Sequence, residues 1–189
     1  MTLLVLGLLV FLGTHSVSLF APAARDRWAA ALGEAAWRGL YSLLSLAGFA
    51  MLVYGYGLAR QAPVVLYVPP GWLRPAAWVL MLPVFPLLFA AQLPGRIQRA
   101  VKHPMITAVK AWALAHLLAN GMLADALLFG SFLAWAVADR ISLKRRVPRP
   151  LRTAPPSRWN DLVAVAGGLV VYAVVVAWLH RLLIGVSPL

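Results

Sequence analysis

At 189 residues, 62% hydrophobic and only 12% charged, the chain departs from soluble domains, in which about a quarter of residues are charged, and reads as a membrane protein. With no cysteine it can form neither disulfides nor thiolate metal sites, and five acids (Asp26, Glu34, Asp125, Asp139 and Asp161) are too few for carboxylate-rich metal chemistry. The formal net charge of +12 does not point to nucleic acid, because the basic residues gather between apolar runs, where they act as topology signals.

A helix needs about 20 apolar residues to cross the hydrocarbon of a bilayer, and six segments qualify: 2–21, 37–58, 74–92, 104–120, 122–139 and 160–184. The first resembles a secretory signal, with Ala21-Pro22-Ala23 at the cleavage point. No Lys or Arg precedes the apolar run, however, so it reads as a retained span. Glu34 precedes Trp37-Arg38-Gly39-Leu40-Tyr41-Ser42-Leu43, a well-marked entry into the second span. The apolar, Pro-rich stretch Gln61–Trp72 is too short to span and reads as a cover at the outer interface anchored by Tyr67 and Trp72. Pro83 and Pro86 predict a kink in the third span. Asn120-Gly121 is a turn signal that makes the fourth and fifth spans a tight helical hairpin. The segment after the fifth span mixes Pro148, Pro150, Pro155 and Pro156 with Arg146, Arg149, Arg152 and Arg158. It reads as a cytoplasmic strap drawn to anionic lipid, at about 1 kcal/mol per basic residue near the surface.

Loops one, three and five carry thirteen Lys and Arg, whereas the even loops and the tail carry three; Lys110 falls inside the fourth span. The positive-inside rule then places both termini outside. The expected architecture is all-α, polytopic, with six transmembrane helices in one domain spanning residues 1–189.

Ionisable side chains inside a membrane are expensive and usually face a cavity, a cofactor or a partner. His15 lies deep in the first span, His116 deep in the fourth, His103 at the fourth span's mouth and His180 near the end of the sixth. At about 100° per residue, His103 and Lys110 fall about 20° from each other on one helical face, and His116 lies about 220° around from His103. Trp112 and Asn120 each sit one turn from His116. The fourth helix thus carries a basic edge (Lys102, His103, Lys110) and a separate His-Trp-Asn face. Asp125 and Asp139 bracket the fifth span, with Asp139-Arg140 reading as an interfacial pair. Lys110 either snorkels toward water on its long stem or faces a ligand as a cation.

Two deep histidines on different helices suit bis-His ligation of a haem, whose apolar macrocycle fits a lipid-embedded pocket. Lys110 or arginines of the inner loops would then face the propionates. Spacing leaves two other readings open: hydrogen bonds across helices with Ser42 or Ser45 as partner, and a proton relay. His180 reads as structural.

Several stretches resemble the NnrU family of integral membrane proteins: Leu12-Gly13-Thr14-His15-Ser16; Arg38-Gly39-Leu40-Tyr41-Ser42-Leu43; Lys102-His103-Pro104 through Ala115-His116-Leu117-Leu118-Ala119-Asn120-Gly121; and Phe129-Gly130-Ser131-Phe132-Leu133-Ala134-Trp135. The resemblance implies a link to denitrification and nitric oxide handling. That family is similar to zeta-carotene isomerase, a haem b protein whose proposed ligands match His15 and His116, which implies haem b as cofactor and admits a small apolar substrate. The isomerase carries a Cys where this chain has Ala113, so ligand switching to a thiolate is impossible here. The His-Pro motif also resembles isoprenylcysteine methyltransferases, but Met105-Ile106 replaces their Tyr and their Glu pair is absent.

The leading expectation is a haem b protein of nitric oxide metabolism in a redox, sensing or isomerase-like role, with His15 and His116 as metal ligands and His103, Lys110, Trp112 and Asn120 around the cofactor. The alternatives are a non-enzymatic accessory or assembly protein with structural histidines, and a methyltransferase-like enzyme entered from the cytoplasm beside His103 and Lys110.

Overall fold

The computed structural model describes residues 1–145 and 153–188. Among these there is no strand, only one isolated antiparallel bridge between Val65 and Met122. The chain divides into two compact units, Met1–Val68 with Gly121–Ser142, and Pro69–Asn120 with Leu143–Leu189. The expected strap at Pro148 and Pro150, with Arg146, Arg149 and Arg152, lies outside the described residues.

The first unit is organised by two long apolar helices, α1 (Thr2–Phe20) and α3 (Glu34–Ala59). Their antiparallel contact is lined by glycine: Gly7 lies on the backbone of Leu52, Gly48 on that of Phe11 and Gly55 on that of Leu4. A Cβ at any of the three would overlap the facing main chain. Between apolar helices in lipid no hydrophobic gain drives association, so close backbone approach at small residues supplies the dispersion contact instead. Between them in sequence comes α2 (Pro22–Leu32), in a segment that the sequence predicts as a loop. Its 11 residues are too few and too polar to span, yet Pro22 opens a helix well and the alanines propagate it. Gly33, at φ +80°, ends it. In the first turn of α3, Arg38 pairs with Glu34 four residues back at 3.0 Å.

The unit closes with α8 (Leu123–Ser142), which packs on α1 with the Phe11 and Phe132 rings 5.7 Å apart. Its entry is tied to the cover segment. The Gly121 carbonyl accepts the Leu66 N–H at 2.8 Å and the Tyr67 N–H at 3.2 Å, and the Val64 carbonyl accepts the Leu123 N–H at 2.8 Å. Burial and the Asp125 carboxylate push the Tyr67 phenol up from its ordinary range.

In the second unit, α4 (Leu73–Met81) and α5 (Val84–Ala90) form one apolar run broken at Leu82-Pro83, where the expected kink falls. Proline there removes a backbone donor and its ring crowds the preceding turn. After α6 (Arg96–Val101) comes α7 (Pro104–Ala119), and Val84, Leu87 and Ala108 form a core against which Met81, Ile97, Val101 and Trp112 pack. Helix α9 (Asn160–Val174) continues through a π-helical turn, Val175–Leu179, into α10 (His180–Ile184). It runs antiparallel to α5, with Gly168 against the Pro86 backbone and Gly167 against the Phe89 ring.

Four apolar runs among the described residues have the length and composition to cross a membrane: Thr2–Phe20, Glu34–Ala59, Leu73–Ala90 and Asn160–Ile184. Large apolar side chains such as Leu9, Leu43, Leu46, Val170 and Leu183 stand exposed on them, as a lipid-facing surface requires. The segments expected as the fourth and fifth spans form the helices α7 and α8, which are not among those four. With 16 residues α7 is about 24 Å long, short of the roughly 30 Å hydrocarbon. The 20 residues of α8 include Asp125, Asp139 and Arg140, and both acids are buried.

Candidate functional site

Each deep histidine is held by its own helix. His15, half-buried on α1, has Nδ1 2.7 Å from the Phe11 carbonyl. His116, half-buried on α7, has Nδ1 2.8 Å from the Trp112 carbonyl. A carbonyl oxygen only accepts, so Nδ1 donates in both rings, and the neutral imidazole carries its lone pair on Nε2. A hydrogen bond of this kind, fixing the tautomer through the second ring nitrogen, commonly accompanies metal-ligating histidines.

Both rings lie beside the aromatic residue whose carbonyl they bond. Phe11 is 4.3 Å from His15 and Trp112 is 5.3 Å from His116, centroid to centroid. Around His15 the first unit adds Tyr41 at 5.4 Å and Trp135, edge-on, at 6.1 Å. Tyr41 also borders a largely apolar cavity of about 310 Å³ beside the first span, with Thr14, Val17, Trp28 and Trp37. His15 thus bonds back along α1, and Ser45, one of the expected cross-helix partners, stands against Tyr41 of its own helix instead. The indole Nε1 of Trp135, buried in this unit, has no hydrogen-bond partner among the described residues. Such buried groups normally find a partner. An apolar aromatic wall, a tautomer-fixed imidazole and an unsatisfied indole donor suit a macrocycle with polar substituents.

Around His116, the expected face is present: Trp112 precedes it by one turn, and the Asn120 amide donates to the His116 carbonyl at 2.9 Å, closing the helix end. Trp112 also packs on the core of its unit, so it anchors α7 as well as flanking the histidine. Lys110 lies within α7, half-buried. The shared helical face expected for His103 and Lys110 needs correction. His103 caps α7 with φ −133° and ψ 67° and is not helical, because the residue before a proline is driven out of the helical region. Its carbonyl accepts the Thr107 N–H at 3.1 Å and the Thr107 hydroxyl at 3.1 Å. His180 differs from the deep pair: its Nδ1 donates to the Val186 carbonyl at 2.7 Å, tying down the turn after α10, in keeping with a structural role.

Sequence reading missed the aromatic lining. Tyr41 and Trp135 were visible only within quoted motifs, and nothing local signals that they converge on His15. Among the described residues no group of three or more His, Cys, Asp and Glu gathers, so a protein-only polydentate metal site has no basis there. A haem needs only axial ligands from the chain.

Long apolar helices with exposed aliphatic faces define a helical integral membrane protein. The chain belongs to the NnrU protein family, which matches residues 3–188, nearly its whole length and both compact units. Comparison with curated proteins and with solved structures gave no match.

Proposed function

We propose that this NnrU protein is a single-domain, six-helix protein of the bacterial inner membrane with both termini outside, and that it binds haem b through His15 and His116. Its role would lie in nitric oxide metabolism and denitrification. The observation that carries the reading is the shared arrangement of the two histidines, each donating Nδ1 to the carbonyl four residues back and each flanked by the aromatic ring of that residue. This arrangement supports Nε2 as the atom each would offer to the iron. Haem b would supply one-electron redox chemistry and a place for a diatomic gas. In this reading Tyr41, Phe11 and Trp135 wall the His15 side against water, Trp112 and Asn120 fix the His116 side, and Lys110 and His103 supply cationic or polar groups toward the propionates.

The interhelical-glue alternative draws less support, because the Nδ1 bonds of both histidines stay within their own helices. The test is an absorption spectrum of protein purified from haem-replete cells. A Soret band is expected, lost in His15→Gly and His116→Gly, restored to each by added imidazole, and retained in His180→Ala. A colourless wild-type protein, or a band indifferent to both substitutions, overturns the proposal.

A further inference from the structure

The second unit holds a basic pocket that the haem reading does not use. It is an open cavity of about 720 Å³ where the loop after α5 meets the segment leading into α9, and Arg96, Arg99 and Arg158 line it. Its volume is within the usual range of about 300–1,000 Å³ for small-molecule sites. Because α5 and α9 run antiparallel, the end of one apolar run (Ala90) and the start of another (Asn160) lie at the same level. The pocket therefore sits at the water-facing end of this helix pair.

Its walls are built by hydrogen bonds that, among the described residues, do not engage the guanidinium groups of Arg96, Arg99 and Arg158. The Asp161 carboxylate accepts the backbone N–H of Arg96 at 2.9 Å and of Ile97 at 3.1 Å. The Asn160 amide donates to the carbonyls of Pro94 at 2.9 Å and Pro155 at 3.1 Å. The Ala154 N–H bonds the Gln92 carbonyl at 2.9 Å. Two proline-rich segments are thereby pinned to each other.

Arg96 and Arg99 are one turn apart on α6, and neither forms an ion pair among the described residues. The Arg158 guanidinium carbon lies over Trp159, 5.0 Å from the ring centroid. Three arginines thus line the pocket with one carboxylate, whose two oxygens are already directed at backbone donors. That excess of forked donors matches the geometry of a phosphate group. Ile97 and Leu162 line the same cavity, and exposed apolar side chains continue along α9 from Leu162, offering a path for an apolar tail.

We propose that this pocket binds a phosphate group, carried either by an anionic phospholipid headgroup or by a soluble phosphate ester. The site is independent of the histidines, so this inference and the haem proposal fail separately.

The test has two arms on the full-length protein. In the first, native mass spectrometry of protein reconstituted with phosphatidylglycerol measures retained lipid. Loss of charge-assisted hydrogen bonds should lower retention about tenfold or more in R96Q/R99Q, while the charge-matched R27Q/R74Q keeps wild-type occupancy. In the second, thermal unfolding in uncharged detergent is followed against inorganic phosphate and glycerol 3-phosphate. Saturable stabilisation lost in R96Q/R99Q assigns the site to a soluble phosphate. R158Q, outside α6, guards against local unfolding and should weaken whichever arm responds. Equal losses in the pocket and control variants, or no response in either arm, overturn the proposal.

Discussion

Tyr56 and Asp125, 69 positions apart in sequence, are joined by a 2.5 Å hydrogen bond from the phenol to Oδ1. The second carboxylate oxygen accepts the Met122 N–H at 3.0 Å, and Asp125 is 2% exposed. The last turns of α3 and the first turn of α8 are therefore fastened through one buried acid, with the Arg60 guanidinium 5.8 Å from the Tyr56 ring. Hydrogen bonds to charged groups contribute about 1.5–3 kcal/mol, and an orphaned buried partner loses its full desolvation compensation.

Tyr56→Phe is accordingly expected to destabilise the first unit by about 1.5–3 kcal/mol in equilibrium unfolding in detergent. Asp125→Asn keeps an acceptor and should lose less, and Asp125→Ala should lose most. A Tyr56→Phe protein as stable as wild type would show the bond to be incidental.

Gly55 gives a steric prediction. It faces the Leu4 backbone, and that contact leaves no room for a side chain. Gly55→Leu should push α1 from α3 and cost about 1–3 kcal/mol by overpacking. The same change at Gly57, which has no neighbour within 4 Å of its Cβ position, should be near neutral. Comparable melting temperatures for the two variants would refute the packing argument.

These contrasts mark what the sequence made legible. The long apolar runs of α1, α3 and α9 needed only hydropathy, and the break at Pro83 needed only the missing N–H. The Nδ1 bonds of His15 and His116 are also local, since a helix places the carbonyl of residue i−4 beside the side chain of residue i. By contrast, α2 is too short and too polar to register as a span, so no membrane-length apolar run marks it. The glycines at 7, 48 and 55 show no partner until α1 and α3 are paired. Tyr56 with Asp125, Asp161 with the α6 amides, and Trp135 beside His15 all depend on contacts between segments far apart in the chain, which periodicity does not encode.

Asp161 caps a helix from 64 positions away, satisfying two of the α6 amides that lack helical acceptors. Gly95 makes this cap fit, because its missing Cβ leaves the space that the Asp161 carboxylate occupies. Asp161→Ala and Gly95→Ala should each cost about 1–2 kcal/mol, as for other lost caps. The double variant should cost clearly less than their sum, since both remove one interaction. Additive losses in a double-mutant cycle would separate the two residues.

Lys102 carries the one positive φ of a non-glycine residue among those described, 65°. With ψ −45° it lies outside the ordinary left-handed well, and the His103 N–H bonds the Val101 carbonyl at 2.8 Å across it, which defines a γ-turn of the rare φ-positive kind. Such conformations cost an L-residue about 1–3 kcal/mol and persist where their surroundings demand them. The demand here comes from His103-Pro104, which must leave the helical region at once and then begin α7. Glycine meets no Cβ clash at this φ, at the expense of about 0.5–1 kcal/mol in unfolded-chain entropy. Lys102→Gly should therefore stabilise the protein by about 1 kcal/mol, and Lys102→Val, whose branched Cβ crowds the turn most, should destabilise it by at least as much. Denaturant midpoints of the two variants in the same detergent decide the matter. Lys102→Gly falling below wild type would mean that the lysine side chain contributes more to this turn than its backbone strain takes away.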